Sequence, residues 1–150
     1  MDFILPLIED LGMVFVDIGA DFLSHPDRFD VLEKKVKEQT DSVAAQFMGK
    51  MLEHLDELIR DSSARKEKYD IQRRRERTLI TTAGDVVFRR TLFKEKDGVK
   101  TCYLLDEAVR LTPHERFTPL AEAKVLSEAE VHSYQHAARK DTSAAFMQRE

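Results

Sequence analysis

The stretch GDVVFRRTLF, residues 84–93, decides the fold, because apolar and charged residues alternate along it in the manner of a β-strand. Successive side chains of a strand point to opposite faces. The two faces would carry Val87, Arg89, Thr91 and Phe93 on one side, and Phe88, Arg90, Leu92 and Lys94 on the other. Since neither face is purely apolar, we expect a thin sheet that is solvated over part of its surface.

Turn signals bound this stretch on both sides. Ala83-Gly84-Asp85 separates it from the run Thr78–Thr82, and Lys96-Asp97-Gly98 separates it from Val99–Leu104. An Asp-Gly pair between two strand-like runs is a strong hairpin signal. Residues 65–105 are therefore predicted to form a three-stranded antiparallel meander.

Helical periodicity precedes the meander. The segment Phe3–Leu23 has apolar residues at helical spacing, and its interrupting carboxylates argue against a membrane span. Arg28–Ser62 is predicted to be one helix of roughly 35 residues, about 50 Å long. A small core cannot cover an apolar stripe of this length, so we expect it to pair with another helix, from this chain or from a second copy. The predicted oligomerisation stripe consists of Phe29, Leu32, Val36, Val43, Phe47, Met51, Leu55 and Leu58.

A shorter helical part follows the meander. Asp106–Leu111 is predicted to be a helical turn, and Thr118 to cap a helix that has Pro119 at its first position and runs to about Ala138. The predicted fold class is α+β, with long N-terminal helices, a three-stranded antiparallel meander and a C-terminal helix. We expect one structural unit made of three segments: 1–64, which is helical and acidic, 65–105, which is the basic meander, and 106–150.

Charge is segregated along the 150 residues, although the formal net charge is only −4. Residues 1–64 hold 6 Lys or Arg against 14 Asp or Glu, whereas residues 65–100 hold 12 against 6. The single cysteine, Cys102, cannot form an internal disulfide, and Met1-Asp2 lacks the basic start of a secretory signal. These features predict a cytoplasmic protein with a local basic surface.

The basic residues of the meander are the main chemical signal. Arginine binds phosphate through two parallel hydrogen bonds, so rows of arginines suit a nucleic-acid backbone. The predicted DNA contacts are Arg73, Arg74, Arg75, Arg77, Arg89, Arg90, Lys94 and Lys96. The alternative is a solvated edge whose arginines pair with carboxylates of the acidic first half.

Other patterns are not predicted to carry chemistry. His132 and His136, with Glu128 one turn earlier, make up half of a metal site without a third ligand. Cys102 lies inside a predicted strand, which suits a packed thiol better than a nucleophile. We therefore predict no metal, no cofactor, no small-molecule substrate and no complete active site in this chain.

Several motifs in order resemble a family of bacterial insertion-sequence transposases of the DDE type, long labelled an uncharacterised protein family. The motifs are RERTL at residues 75–79, GDVVFRRTLF at 84–93, YLLDE at 103–107 and PHERFT at 113–118. The similarity covers roughly residues 50 to 135.

The resemblance implies an N-terminal region, then a helix-turn-helix-like segment, then an RNase H-like domain with an acidic metal-binding triad. The chain stops before that domain, and Ser133-Tyr134-Gln135-His136-Ala137 is less basic than the family's corresponding helix. We expect a non-catalytic N-terminal region that engages DNA, either non-specifically or at inverted-repeat ends, and assembles as a homo-oligomer. A protein-interaction module without nucleic-acid binding is the alternative, which the acidic first half favours.

Overall fold

A computed structural model describes residues 1–131 and has the predicted α+β class. Its elements are α1 (Ile4–Ser24), α2 (Phe29–Asp61), α3 (Ser63–Lys68), β1 (Tyr69–Thr81), β2 (Gly84–Glu95), β3 (Thr101–Cys102) and α4 (Leu104–Ala108). Residues 119–131 form the described part of a C-terminal helix, α5. The predicted continuation of that helix to Ala138, and the half metal site at His132 and His136, lie outside the described residues.

Helices α1 and α2 form an antiparallel hairpin. Phe22 packs against Phe29 at the turn, with ring centroids 6.2 Å apart, and Phe3 packs against Phe47 at the far end, also at 6.2 Å. Lys35 donates a hydrogen bond of 2.6 Å to Asp21 between these two contacts. Part of the apolar stripe on α2 therefore meets a helix of its own chain.

The sheet is the predicted meander, with strand order β1-β2-β3. The β1–β2 pairing runs from Tyr69 opposite Glu95 to Thr81 opposite Gly84, and its register shifts once, between Ile71 and Arg73. Strand β1 is longer than the predicted run, because the arginine-rich residues that precede that run are also extended. Strand β3 is shorter than predicted and pairs only with the end of β2.

The core lies on one face of the hairpin, and this confirms the predicted two-residue period. Phe88 is 1% exposed, whereas its neighbour Val87 is 51% exposed. Around Phe88 the core combines sheet, α2 and α4 residues: Leu79, Val86, Ala45, Met48, Leu52, Leu55, Ile59, Leu105 and Val109. The opposite face is exposed at Val87 and Arg89, but its Thr91 and Phe93 side chains are both 0% exposed. The sheet is therefore solvated on that face only toward the closed end of the hairpin.

Helix α2 also lies along the edge of β2 that β3 leaves uncovered. Glu53 accepts a hydrogen bond of 2.9 Å from the Arg89 amide, and Asp56 accepts one of 2.9 Å from the Thr91 amide. A Cβ on Gly49 would stand 2.6 Å from the Val87 carbonyl oxygen, so the helix backbone touches the strand at this glycine. Because these three α2 residues follow i, i+4, i+7 spacing, one helix face takes the place of a fourth strand.

The segment between α4 and α5 closes the far end of β1. Ile80 donates a backbone hydrogen bond of 2.7 Å to Arg116 and accepts one of 3.0 Å from Thr118. The Thr118 hydroxyl then accepts a hydrogen bond of 3.3 Å from the Ala121 amide. Thr118 is therefore the N-cap of α5, as the sequence predicts.

Candidate nucleic-acid interface

Four exposed arginines lie on the hairpin, with Arg73, Arg74 and Arg75 on the edge strand β1 and Arg89 on the neighbouring strand β2, and we call them the arginine edge. Paired residues of an antiparallel ladder share a face. The register therefore places Arg75 on the face of Arg90, and Arg74 on the same face as Arg89. Since β1 is the edge strand, long side chains from both faces can reach one ligand that lies along the edge.

The arginine edge does not pair with the acidic helices in the part of the chain that the structure describes. Within residues 1–131, its guanidinium groups form neither an ion pair nor a hydrogen bond with a carboxylate. Glu53 reaches Arg89 only through the backbone amide. Carboxylates of the first half pair with nearby lysines instead, as in Lys37 with Asp41 at 2.7 Å.

Arg77 lies inside the protein and is not part of that edge. It is 8% exposed, and its Nη1 donates to Asp106 Oδ2 at 2.8 Å. Its Nη2 donates to the carbonyl oxygens of Thr112, at 2.7 Å, and Glu115, at 2.8 Å. These hydrogen bonds fasten α4 and the segment that follows it to the sheet, so Arg77 is not free to bind phosphate.

Arg90 is buried beside Arg77 and shares its partner. Arg90 pairs with the same Asp106 oxygen, and its guanidinium carbon lies 3.7 Å from the centre of the Tyr103 ring. We call Arg77, Arg90, Asp106 and Tyr103 the buried arginine cluster. Because both of these arginines are engaged internally, the predicted surface for DNA contacts does not extend to Arg77 and Arg90.

Burial lowers the pKa of the Arg77 guanidinium, and burial together with the charge of Arg77 lowers the pKa of Arg90. The ordinary arginine pKa lies so high that both groups stay charged at neutral pH. One carboxylate therefore faces two positive charges. Alternation puts Arg90 on the face of Phe88, so the sequence indicates that Arg90 is on the core side. It does not indicate that the partner is Asp106.

The two predicted lysine contacts lie at the open end of the hairpin. Both are exposed, and Lys94 stands opposite Asp70 in the ladder. Lys96 donates through Nζ to the Lys66 carbonyl oxygen at 2.7 Å, so its ammonium is already held locally. Lys94 therefore extends the basic surface beyond the arginine edge, whereas Lys96 faces α3.

The predicted oligomerisation stripe divides into two sets. Leu55 packs against the core, while Leu32, Val43 and Met51 are half-buried. The exposed members are Phe29 at 64%, Leu58 at 58%, Phe47 at 40% and Val36 at 38%. Phe47, Met51 and Leu58 line an apolar cavity of about 460 Å³ between α2, the closed end of the hairpin and residues 109–118.

Three further observations concern metal binding, membrane spanning and the single thiol. Among residues 1–131, the structure brings together no group of three or more His, Cys, Asp or Glu that could hold a metal ion. Within the same range, no helix is long and apolar enough to cross a membrane. Burial raises the pKa of the Cys102 thiol, with Glu107 and Glu95 acting in the same direction, so this thiol is protonated at neutral pH.

Comparison with known proteins gives a family match. The model of a family described as "Uncharacterised protein family (UPF0236)" matches residues 27–149. The UPF0236 protein TTE2489 of Caldanaerobacter subterraneus subsp. tengcongensis is 30% identical over 125 residues, which cover 83% of this chain and 27% of that protein. A second UPF0236 protein of that organism is 27% identical over 139 residues, 93% of this chain and 30% of its own length. The chain thus spans about a quarter to a third of these relatives, and no solved structure matches it.

Proposed function

Because the chain belongs to the UPF0236 family, whose curated relatives are much longer, we propose that it is a non-catalytic DNA-engaging and assembly module of a transposase-like protein. The observation that carries the DNA part is the arginine edge. Its four guanidinium groups are exposed and have no carboxylate partner among residues 1–131. The motifs that resemble insertion-sequence transposases supply the larger context.

The proposed contact is with the phosphate backbone. Arginines that neutralise phosphates release condensed counterions, and this makes affinity strongly dependent on salt. If the arginine edge neutralises about four phosphates, log affinity should fall against log salt with a slope of about −3.6. Dissociation constants of about 10⁻⁴ to 10⁻⁶ M are expected at physiological salt for non-specific duplex DNA.

The fold orients the approach of DNA. Helix α2 packs along β2, so the strand order leaves β1 as the edge away from that helix. The acidic residues of α1 and α2 repel DNA from the helical side. DNA would therefore meet the arginine edge first, with the outer face of the hairpin beside it.

Fluorescence anisotropy with a short duplex, measured over a series of salt concentrations, tests this proposal. The variant Arg73→Gln, Arg74→Gln, Arg75→Gln should flatten the slope from about −3.6 to about −0.9, since one arginine of the edge remains. The matched control Lys34→Gln, Lys37→Gln, Lys50→Gln makes the same change in net charge on α2 and should keep the wild-type slope.

Two results would count against the DNA part. One is a wild-type chain that does not bind duplex DNA even at low salt. The other is an equal loss of affinity in both triple variants, which would show an effect of net charge alone. The first result would favour the second candidate function, a protein-interaction module, which the apolar cavity beside Phe47, Met51 and Leu58 supports.

A further inference from the structure

Helix α1 carries an apolar surface that residues 1–131 leave uncovered. No residue of α1 is buried. Leu5 is 72% exposed, Val16 71% and Leu23 80%. We define the α1 ridge as the residues that recur along one side of the helix at spacings of three or four: Leu5, Ile8, Gly12, Val16, Gly19 and Leu23.

The α1 ridge lies beside the surface of α1 that contacts α2. The side of α1 that meets α2 carries Phe22, which contacts Phe29, and Asp21, which binds Lys35. At 100° per residue, the ridge is centred about 80° round the helix from Phe22 and roughly opposite Asp21, so it borders the α2 contact. The α1 ridge and the surface that contacts α2 are therefore on different, adjoining sides of α1.

We infer that the α1 ridge binds the α1 ridge of a second copy of this chain, with the two helices antiparallel. The spacing of the ridge is symmetric about Gly12. Leu5 and Gly19 stand seven residues to either side of it, and Ile8 and Val16 stand four residues to either side. A two-fold axis at Gly12 therefore places Leu5 against Gly19 and Ile8 against Val16, as a self-complementary interface requires.

The glycines of the ridge fit a close helix pair. A Cβ at Gly12 or Gly19 would meet nothing within 4 Å, so this chain's own packing does not require either glycine. Glycine lowers the stability of a helix interior relative to alanine. At a helix crossing, however, it lets two backbones approach, and it leaves room at Gly19 for the partner's leucine.

The charges of α1 argue against nucleic acid and anionic lipid as partners of the ridge. The helix contains Glu9, Asp10, Asp17 and Asp21 and has no lysine or arginine. It would therefore be repelled by nucleic acid and by anionic lipid, which binds helices with basic faces. In the antiparallel pair the two Glu9 residues are six positions apart along the axis, about 9 Å, whereas a parallel pair would set them side by side.

The inference names the partner and the surface for the assembly part of the proposed function, on which it rests. It uses α1, which precedes the residues that the family model matches. DNA binding by the arginine edge is a separate measurement, so a monomeric chain that still binds DNA would overturn only the inference.

Analytical ultracentrifugation of the full chain across the micromolar range tests self-association. The wild type should be dimeric at the upper end of that range. Gly12→Leu and Val16→Glu should make the chain monomeric with an unchanged helix content, because both positions are open to solvent in the single chain. Val99→Glu, a control at a residue 92% exposed on the β2–β3 turn, should leave the dimer intact.

Cysteine cross-linking in a Cys102→Ser background tests the orientation. A mixture of Leu5→Cys and Gly19→Cys chains should form disulfide-linked heterodimers under mild oxidation, and Leu5→Cys alone should not cross-link. A monomeric wild type, a dimer unchanged by both ridge substitutions, or efficient cross-linking of Leu5→Cys alone would each overturn the inference.

Discussion

Asp106 is the carboxylate on which the buried arginine cluster depends. It is 6% exposed and is shared by two arginines that are themselves largely buried. Removing one partner of a buried ion pair leaves an uncompensated charge, which typically costs 3–5 kcal/mol. We therefore expect Asp106→Ala to lower the free energy of unfolding by about 3–5 kcal/mol in urea titrations.

The two arginines of the cluster should respond unequally. Arg77→Met would remove one ion pair with Asp106 and leave the carbonyl oxygens of Thr112 and Glu115 without their donors. Arg90→Met would remove the other ion pair with Asp106 and the contact with the Tyr103 ring. Arg90→Met should consequently cost less than Arg77→Met. Equal losses for the two substitutions would contradict the roles assigned to these side chains.

Gly49 is needed because helix and strand touch there. An added Cβ would stand 2.6 Å from the Val87 oxygen, and backbone atoms cannot move aside as a flexible side chain can. Gly49→Ala should thus destabilise by about 1–3 kcal/mol. Gly19→Ala, where the Cβ has open space, should instead stabilise by up to about 1 kcal/mol. Thermal unfolding at high dilution, where self-association is absent, compares the two.

For single residues, the sequence predicted which arginines are exposed better than it predicted which residue the buried arginines contact. Arg73, Arg74, Arg75 and Arg89 are exposed as expected. Arg77 and Arg90 were placed with them because all belong to one basic run, yet they lie on the core face of the hairpin. Their partner, Asp106, is 29 residues from Arg77, and no local pattern links two such positions.

Among the contacts between elements, the packing of α2 against β2 gives the most specific prediction. Asp56 is fully buried and accepts hydrogen bonds from the amide and the hydroxyl of Thr91, the latter at 2.6 Å, whereas the Glu53 side chain remains partly exposed. Asp56→Ala should cost about 2–6 kcal/mol, because two buried donors lose their acceptor, at about 1–3 kcal/mol for each group.

Glu53→Ala should cost less than about 1 kcal/mol, since water can replace the carboxylate there. Amide exchange at Thr91 should quicken in Asp56→Ala, and Asp56→Asn should restore part of the loss because its oxygen can still accept from the amide. Similar costs for Asp56→Ala and Glu53→Ala would show that α2 does not act as a substitute strand.

The elements themselves were predictable where the local signal was strong. Alternation and two turns predicted the meander, and apolar spacing predicted the long helices. The meander predicted for residues 65–105 includes the arginine run before Thr78, and that run is part of β1, which begins at Tyr69. Strand β3 shrank to Thr101–Cys102, since only that part of the predicted strand pairs with β2.

Over the whole molecule, charge and apolar surface are kept in separate places. Helix α2 lies along β2, and α1 packs on α2. Three of the four residues of the arginine edge lie on β1. The α1 ridge consists of uncharged residues. Segregation of charge was visible in the sequence, but its arrangement in space depends on α2 packing along β2, which no periodic pattern predicts.

The same packing has a kinetic consequence. The β1–β2 turn is local and can close early, but a two-stranded hairpin alone is at most marginally stable in water. Asp56 and Thr91 are 35 residues apart, so the loop between them must be closed before β2 has its third neighbour. We expect the docking of α2 to limit the refolding rate, so that Asp56→Ala slows refolding in stopped-flow measurements while Arg77→Met mainly speeds unfolding.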